Sequence, residues 1–104
     1  MRSRRAEALA LLGLAQRAGA VVKGAEATRH ALRRGEVRLL LVASDGSETQ
    51  LGKILPLAEA KGVQCETLGD RAALGAALGR GSLTAVAVTR AGFARQIRDR
   101  MGRD

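Results

Sequence analysis

Residues 21–34 read Val-Val-Lys-Gly-Ala-Glu-Ala-Thr-Arg-His-Ala-Leu-Arg-Arg. The two valines end a short strand, Lys23 and Gly24 form a turn, and a helix begins immediately afterwards. The first turn of a helix carries backbone N–H groups that have no partner within the helix, and the helix dipole makes this end positive. Arg29 and Arg33 extend the positive charge along the same helix. The segment therefore predicts a helix start that attracts anions, phosphate among them.

The rest of the chain alternates predicted helices and strands around this segment. Helices are predicted for residues 3–18, 24–34, 48–61, 71–78 and from residue 90 onward, and strands for residues 20–22, 37–43, 63–68 and 82–88. The apolar run 37–43 is typical of a central strand, and the alternating run 63–68 of a strand nearer an edge. Pro56 is expected to kink or divide the third helix. This alternation predicts an α/β protein with a sheet between helices, in one domain over residues 1–104.

The balance of charges is the strongest feature of the composition. The chain of 104 residues carries a formal net charge of +8 and has a pI of about 11.4. An excess of Lys and Arg on a small domain favours polyanionic partners, with nucleic acid first and anionic membrane surfaces second. Phe93 is the only aromatic residue, which argues against a protein that stacks single-stranded bases on aromatic side chains. The alternative is that many of the arginines merely keep helix surfaces hydrated.

Few residues suit catalysis or metal binding. Cys65 is the only cysteine and His30 the only histidine, so one chain has neither a disulfide nor a cysteine or histidine cluster for zinc. Cys65 is expected to be a small buried residue of a strand. Ser44 and Asp45 follow the central strand, where open α/β sheets bind ligands, but loop 44–47 is expected to cap the next helix instead. Without a Walker or dinucleotide-binding motif, the sequence predicts no enzyme, no metal site and no cofactor. A small enzyme or ligand sensor that uses Ser44 and Asp45 is the weakest alternative.

The sequence also bears on the cellular location. No apolar run is long enough to cross a membrane. The N-terminal residues Met1-Arg2-Ser3-Arg4-Arg5 lead into a predicted amphipathic helix, which is unlike a signal peptide. The sequence therefore predicts a cytoplasmic protein without a membrane partner.

A second turn resembles the one at Gly24, because it too follows a strand and opens a helix. This turn is Thr89-Arg90-Ala91-Gly92, in which Thr89 is expected to cap the last helix. If the two strands are parallel neighbours in the sheet, both turns lie at one edge and form a single phosphate-facing surface. The cations of this predicted surface are Lys23, Arg29, Arg33 and Arg90.

Five strings, in this order and spacing, resemble a known family over nearly the whole chain. They are Leu11-Leu12-Gly13-Leu14-Ala15-Gln16-Arg17-Ala18-Gly19, Lys23-Gly24, Leu39-Leu40-Leu41-Val42-Ala43-Ser44-Asp45, Leu74-Gly75-Ala76-Ala77-Leu78-Gly79 and Val86-Ala87-Val88-Thr89-Arg90-Ala91-Gly92-Phe93-Ala94. The chain is similar to the kink-turn RNA-binding ribosomal-protein superfamily, which contains archaeal L-seven-Ae and L-thirty-e. Within that superfamily it most resembles the small bacterial members of the YlxQ type.

The resemblance implies a three-layer α/β/α sandwich around a four-stranded mixed sheet. It also implies binding to a sharply bent RNA element with tandem sheared G·A pairs, in ribosomal RNA or another kink-turn-like RNA. In the family, the start of the second helix reads the G·A pairs, and the turn before the last helix closes over an extruded nucleotide. On this chain the implied RNA-binding residues are Lys23, Gly24, Ala25, Glu26, Arg29, Arg33, Thr89, Arg90, Ala91 and Gly92.

The chain departs from the family pattern at the start of the second helix. RNA-binding members carry Gly-Thr-Asn-Glu there and a lysine a few residues later. Here the string is Gly24-Ala25-Glu26-Ala27, and His30 occupies the lysine position. An acid in place of the amide repels phosphate, although Glu26 can still accept a hydrogen bond from a guanine edge.

Together, charge, turn chemistry and resemblance predict a non-enzymatic, cytoplasmic RNA-binding protein. Its partner is expected to be structured RNA, with ribosome or ribonucleoprotein components as further partners. The altered string at residues 24–27 supports a different possibility, a protein-interaction module that kept the fold but lost specific RNA readout.

Overall fold

The structure, a computed structural model, describes residues 3–102, so positions 1, 2, 103 and 104 of the predicted 1–104 domain lie outside the described part. Over the described residues, helices and strands alternate as predicted. In chain order the elements are α1 (Arg4–Arg17), β1 (Val21–Lys23), α2 (Ala25–Arg33), β2 (Leu39–Val42), α3 (Glu48–Ala60), β3 (Cys65–Thr67), α4 (Arg71–Ala77), β4 (Ala85–Val88) and α5 (Ala91–Met101).

The four strands form one mixed sheet in the order β1-β4-β2-β3. β2 and β3 are parallel, whereas β4 is antiparallel to both of its neighbours, β1 and β2. Every residue of β2 and β4 is buried, because these strands lie in the middle of the sheet. β3 lies at an edge, which confirms the prediction from its alternating sequence.

Each face of the sheet has its own hydrophobic core. Successive side chains of a strand point to opposite faces, so the apolar run in β2 serves both cores. Leu39 and Leu41 pack on one face with apolar residues of α1, α4 and α5. Leu40 and Val42 pack on the other face with residues of α2 and α3. The predicted three-layer α/β/α sandwich is therefore confirmed.

Pro56 does not divide α3, and that part of the prediction is wrong. The helix continues from Glu48 to Ala60 as a single element with the proline inside it. A proline removes one backbone hydrogen bond of the helix. Ile54 and Ala58 are buried on either side of Pro56, and their packing holds the two halves in one helix.

The cap predicted in loop 44–47 is confirmed, and the cap predicted at Thr89 is wrong. Ser47 accepts a hydrogen bond from the Gln50 N–H at 3.3 Å, and Asp70 accepts one from the Ala73 N–H at 2.8 Å. Thr89 does not cap the last helix, because its own N–H still pairs across the sheet with the Ala20 carbonyl at 2.9 Å. Arg90 takes the N-cap position of α5 and makes no side-chain capping bond.

Cys65 is exposed rather than buried, contrary to the prediction. It opens β3, whose residues are only partly covered because the strand lies at the edge of the sheet. Partial desolvation and the neighbouring Glu66 carboxylate raise the pKa of the Cys65 thiol above its usual value. A raised pKa disfavours the thiolate, so this cysteine has the opposite of the activation that a nucleophile requires.

Candidate nucleic-acid interface

The direction of the strands decides which turns share an edge of the sheet. β1, β2 and β3 run one way and β4 runs the other way. The loops that follow β1, β2 and β3 therefore meet the loop that precedes β4. We call this edge the Gly24 rim; it contains Gly24, Ser44, Gly69 and Thr84. We call the opposite edge the Arg90 rim; it contains Ala20, Arg38, Gln64 and Arg90.

The predicted single surface from the two turns is wrong, because β1 and β4 are adjacent but antiparallel. The Gly24 N–H donates to the Ala85 carbonyl at 3.0 Å, at the start of β4. The Thr89 N–H donates to the Ala20 carbonyl at 2.9 Å, just past the end of β4. Ala85 and Thr89 are four residues apart along an extended strand, a distance of about 13 Å. The structure therefore does not bring residues 89–92 to Gly24.

The turn that does lie beside Gly24 is the loop 79–84 between α4 and β4. Its last residue, Thr84, holds the rim together, since its carbonyl accepts from the Ala43 N–H at 2.9 Å and its hydroxyl from the Ser47 N–H at 3.2 Å. Arg80 is exposed in this loop. The sequence reasoning missed this loop, although the string Gly79-Arg80-Gly81-Ser82 has the small residues that are typical of a turn.

Gly24 has a backbone conformation that other residues rarely adopt. Its φ of 97° and ψ of 154° lie in a region that is essentially restricted to glycine. Gly24 is among the RNA-binding residues that the resemblance implies. Its own N–H is bonded to the Ala85 carbonyl, so the expectation that Gly24 itself donates to an anion is wrong. The N–H groups of residues 25–27 have no partner within the helix, and no side chain caps this helix start. They are the donors that the turn offers to an anion.

Glu26 and Arg29 form the polar centre of the first two turns of α2. Arg29 Nη2 lies 2.7 Å from Glu26 Oε2, and His30 Nε2 lies 3.1 Å from the same oxygen. The hydrogen bond from Arg29 holds the pKa of the Glu26 carboxyl below its usual value. Arg29 Nε is buried and has no hydrogen-bond partner among the described residues. The Glu26 carboxylate therefore engages one nitrogen of the Arg29 guanidinium, while the Nε–H donor of Arg29 is left unused.

A small cleft between α2 and α3 adjoins this pair. It has a volume of about 100 Å³ and is lined by Ala25, Glu26, Arg29, Gln50, Lys53 and Ile54. The cleft places the Lys53 ammonium and the Gln50 amide beside Arg29, so it offers several donors to an anionic oxygen. Lys53 was missed by sequence reasoning, because only the packing of α3 against α2 brings it to the site.

The remaining predicted residues fall into two places. Lys23 is half-buried at the end of β1, beside Gly24. Arg33 lies in the last turn of α2, where its carbonyl accepts from Lys61 Nζ at 3.2 Å. Since α2 begins at the Gly24 rim, its last turn and Arg33 lie toward the Arg90 rim. Lys23, Ala25, Glu26 and Arg29 thus share one surface, and Arg33 lies with residues 89–92 at the other end of the sheet.

Residues 3–102 contain no group of three His, Cys, Asp or Glu side chains placed to hold a metal ion. No helix among residues 3–102 is both long and apolar enough to cross a membrane.

Asp45 is a candidate residue of the weakest alternative, a small enzyme or ligand sensor. Its carboxylate accepts a hydrogen bond from the Arg71 N–H at 2.8 Å. This bond, together with the Arg71 side chain, lowers the pKa of the Asp45 carboxyl. Asp45 therefore ties loop 44–47 to the start of α4.

Comparisons with known proteins agree with this fold. The chain is 33% identical over 87 residues to the RNA-binding protein YlxQ of Bacillus subtilis, which covers 84% of this chain and 87% of the relative. A solved structure of a Bacillus halodurans protein with unknown function superposes with a TM-score of 0.84 at 31% identity, over 90% of this chain and 95% of the other. A Giardia lamblia 15.5kD RNA binding protein superposes with a TM-score of 0.76 at 24% identity, over 93% and 87%. Residues 6–97 match the ribosomal protein L7Ae/L30e/S12e/Gadd45 family, and the chain belongs to that family.

Proposed function

We propose that this protein is a non-enzymatic RNA-binding protein that recognises structured RNA through the Gly24 rim. The observation that carries the proposal is the uncapped start of α2, flanked by Lys23 and Arg29, in a chain with a net charge of +8. The RNA-binding name of the YlxQ relative supports the same ligand class. A kink-turn-like element in ribosomal or other structured RNA is the proposed target, bound in the cytoplasm with ribosome or ribonucleoprotein components as further partners.

The geometry suggests a role for each residue of this rim. The N–H groups of residues 25–27 donate to a phosphate or a base edge, because they point away from the end of α2. Lys23, Arg29 and Lys53 supply positive charge for the RNA backbone. The last residues of loop 79–84 close over an unpaired nucleotide, since this loop ends at Thr84, which leads into Ala85 beside Gly24. The altered string at residues 24–27 makes shape and charge larger contributors to binding than base readout.

The proposal is tested by measuring binding to a kink-turn RNA and to a straight duplex of equal length across a salt series. We expect tighter binding to the kink-turn RNA, with a preference that persists at high salt. Lys23→Gln combined with Arg29→Gln should weaken kink-turn binding on the order of tenfold or more and reduce the salt slope by about one to two, since each lost phosphate contact removes roughly 0.7–0.9.

A matched control for this experiment is Arg95→Gln combined with Arg100→Gln. It removes the same amount of charge from exposed positions of α5, on the other side of the sheet from α2. We expect this control to bind kink-turn RNA nearly as well as the parent. If both double variants lower the kink-turn affinity and its salt slope equally, total charge rather than the Gly24 rim governs binding. The proposed site would then be wrong.

Replacing Glu26 tests whether its carboxylate opposes RNA. In Glu26→Gln the negative charge disappears and the Arg29 guanidinium loses its anionic partner. We therefore expect kink-turn affinity at low salt to rise about 1.5- to fivefold, the range of an exposed charge interaction. Fluorescence anisotropy with labelled RNA measures the change. A fall in affinity would instead assign Glu26 to hydrogen bonding with a guanine edge.

A second candidate function is a protein-interaction module that kept the fold and lost specific RNA readout. The Glu26–Arg29 ion pair at 2.7 Å favours it, because it neutralises a cation where a phosphate would bind. Capture of partners from an extract treated with nuclease separates the two functions. A protein partner retained after RNA digestion, together with equal binding to kink-turn and straight RNA, would favour the interaction module.

A further inference from the structure

Cations from distant parts of the chain converge on the Arg90 rim. They come from the ends of α1, α2 and α3, from the residue before β2 and from the turn after β4. We call them the Arg90 rim surface; they are Arg17, Arg33, Arg38, Lys61 and Arg90. All of them are exposed.

Short contacts join neighbouring members of this surface. The Arg90 guanidinium lies over Gly19, 3.9 Å from the position of a β-carbon on that glycine and two residues beyond Arg17. The Arg38 N–H donates to the Val88 carbonyl at 2.8 Å, two residues before Arg90. At the other end of the surface, Lys61 Nζ donates to the Arg33 carbonyl at 3.2 Å.

This positive charge is not compensated by nearby acids. Among residues 3–102, no ion pair joins any of the five cations to a carboxylate. Glu36, in the loop between α2 and β2, pairs with Arg34 at 3.2 Å and so is already engaged. The surface therefore presents a positive field to solvent without a built-in counter-charge.

Helix stability explains only part of the surface. Cations at the ends of α1, α2 and α3 complement the negative ends of those helix dipoles, which accounts for Arg17, Arg33 and Lys61. Arg38 precedes a strand and gains nothing of this kind. Arg90 is the N-cap of α5, at the positive end of a dipole, where a cation is disfavoured. Local interactions therefore do not stabilise Arg38, and they disfavour Arg90. An external anion is the simplest reason for both positions.

We propose that the Arg90 rim surface binds the phosphate backbone of a second RNA segment, so that the protein contacts RNA at both ends of its sheet. The inference rests on the proposed function, since it assumes RNA at the Gly24 rim. The surface offers guanidinium and ammonium groups but no aromatic side chain, because the only one, Phe93, packs against the core. Its contacts are therefore to the backbone and carry no sequence preference. The two rims lie about 13 Å apart along β4, so one protein holds two RNA segments at opposite ends of its sheet.

The test is a two-step capture. A short kink-turn RNA is immobilised and saturated with protein, and a labelled straight RNA duplex is then added across a salt series. We expect the loaded protein to capture the duplex at low salt and to release it steeply as salt rises. Arg38→Gln combined with Arg90→Gln should lower duplex capture about tenfold or more and reduce its salt slope by about 1.5, while kink-turn loading stays unchanged.

Arg5→Gln combined with Arg100→Gln is the matched control for this test, because Arg5 lies in the first turn of α1 and Arg100 in the last turn of α5, away from Arg17 and Arg90. It should capture the duplex like the parent. Loading without duplex capture by the parent protein would overturn the second surface while leaving the proposed function intact. Equal losses in the two double variants would also overturn it, since charge alone would then explain capture. Failure of the first step, loading on the kink-turn RNA, would overturn the proposed function and this inference with it. Capture of anionic lipid vesicles but not of duplex RNA would replace RNA by a membrane as the ligand of this surface.

Discussion

Gly75→Ala is expected to lower the free energy of unfolding by about 1–3 kcal/mol, the usual cost of forcing extra atoms into a packed site. A β-carbon at position 75 would lie 2.8 Å from the carbonyl carbon and oxygen of Gly81 and from Cα of Ser82. These are backbone atoms of loop 79–84, so no side-chain rotation relieves the overlap. The better helix propensity of alanine offsets only about 0.5–1 kcal/mol of this cost. Urea denaturation followed by circular dichroism measures the difference.

Gly52→Ala is the matched control for this change. Gly52 also lies inside a helix, α3, but no atom lies within 4 Å of its β-carbon position. Alanine there should raise the free energy of unfolding by about 0.5–1 kcal/mol, because it gains helix propensity without overlap. A Gly75→Ala protein as stable as Gly52→Ala would show that α4 and loop 79–84 are not tightly packed.

The same glycine also links stability to the candidate interface. Loop 79–84 reaches the Gly24 rim at its last residue, Thr84, which is bonded to Ser47 and Ala43. A shift of the loop by Gly75→Ala should therefore weaken kink-turn RNA binding even at temperatures where the protein is fully folded. Gly52→Ala should leave this affinity unchanged.

Local patterns in the sequence were sufficient to predict the elements and their layers. The run Leu39-Leu40-Leu41-Val42 is apolar at every position, and a strand of this kind needs a core on both faces. Helix starts at Ser47 and Asp70 follow directly from side chains that accept backbone hydrogen bonds. Such signals depend only on neighbours in the sequence, so they can be recognised without knowledge of the tertiary structure.

The direction of β4 could not be predicted from the same signals. An apolar run such as Ala85–Val88 is buried equally well whether it is parallel or antiparallel to its neighbours. Its direction nevertheless decides whether Gly24 faces the loop before β4 or the turn after it. The misplacement of residues 89–92 and the omission of loop 79–84 both come from this single ambiguity.

Two other misses share a physical cause, which is that burial and proximity depend on packing. Cys65 is predicted to lie on the buried side of an alternating strand but opens an edge strand whose residues are only partly covered. Lys53 is an ordinary exposed helix residue in the sequence and becomes part of the site only because α3 packs beside α2. Departures from the family pattern, such as Glu26, are in contrast visible in the sequence, and the structure adds that the acid is paired with Arg29.

Gly24→Ala is expected to lower the free energy of unfolding by about 1–3 kcal/mol, because a β-carbon is strained at a φ of 97° and a ψ of 154°. No atom lies within 4 Å of the β-carbon position, so the cost comes from the backbone and not from a steric clash with neighbours. Relief of this strain turns the first peptide groups of α2 and moves the N–H groups of residues 25–27. Kink-turn RNA affinity should therefore fall about tenfold or more, since these N–H groups and Lys23 no longer face one ligand together.

Gly35→Ala separates the effect on RNA from the loss of stability. Gly35 follows the other end of α2 with a φ of 74°, where a β-carbon costs about 1–2 kcal/mol. Both variants should therefore unfold at lower urea concentrations than the parent, but only Gly24→Ala should weaken binding to a short kink-turn RNA measured well below the unfolding transition. Equal RNA affinities in the two variants would mean that the conformation of Gly24 serves the fold alone. A selective loss in Gly24→Ala would mean that the strained turn holds the start of α2 in the geometry that RNA requires.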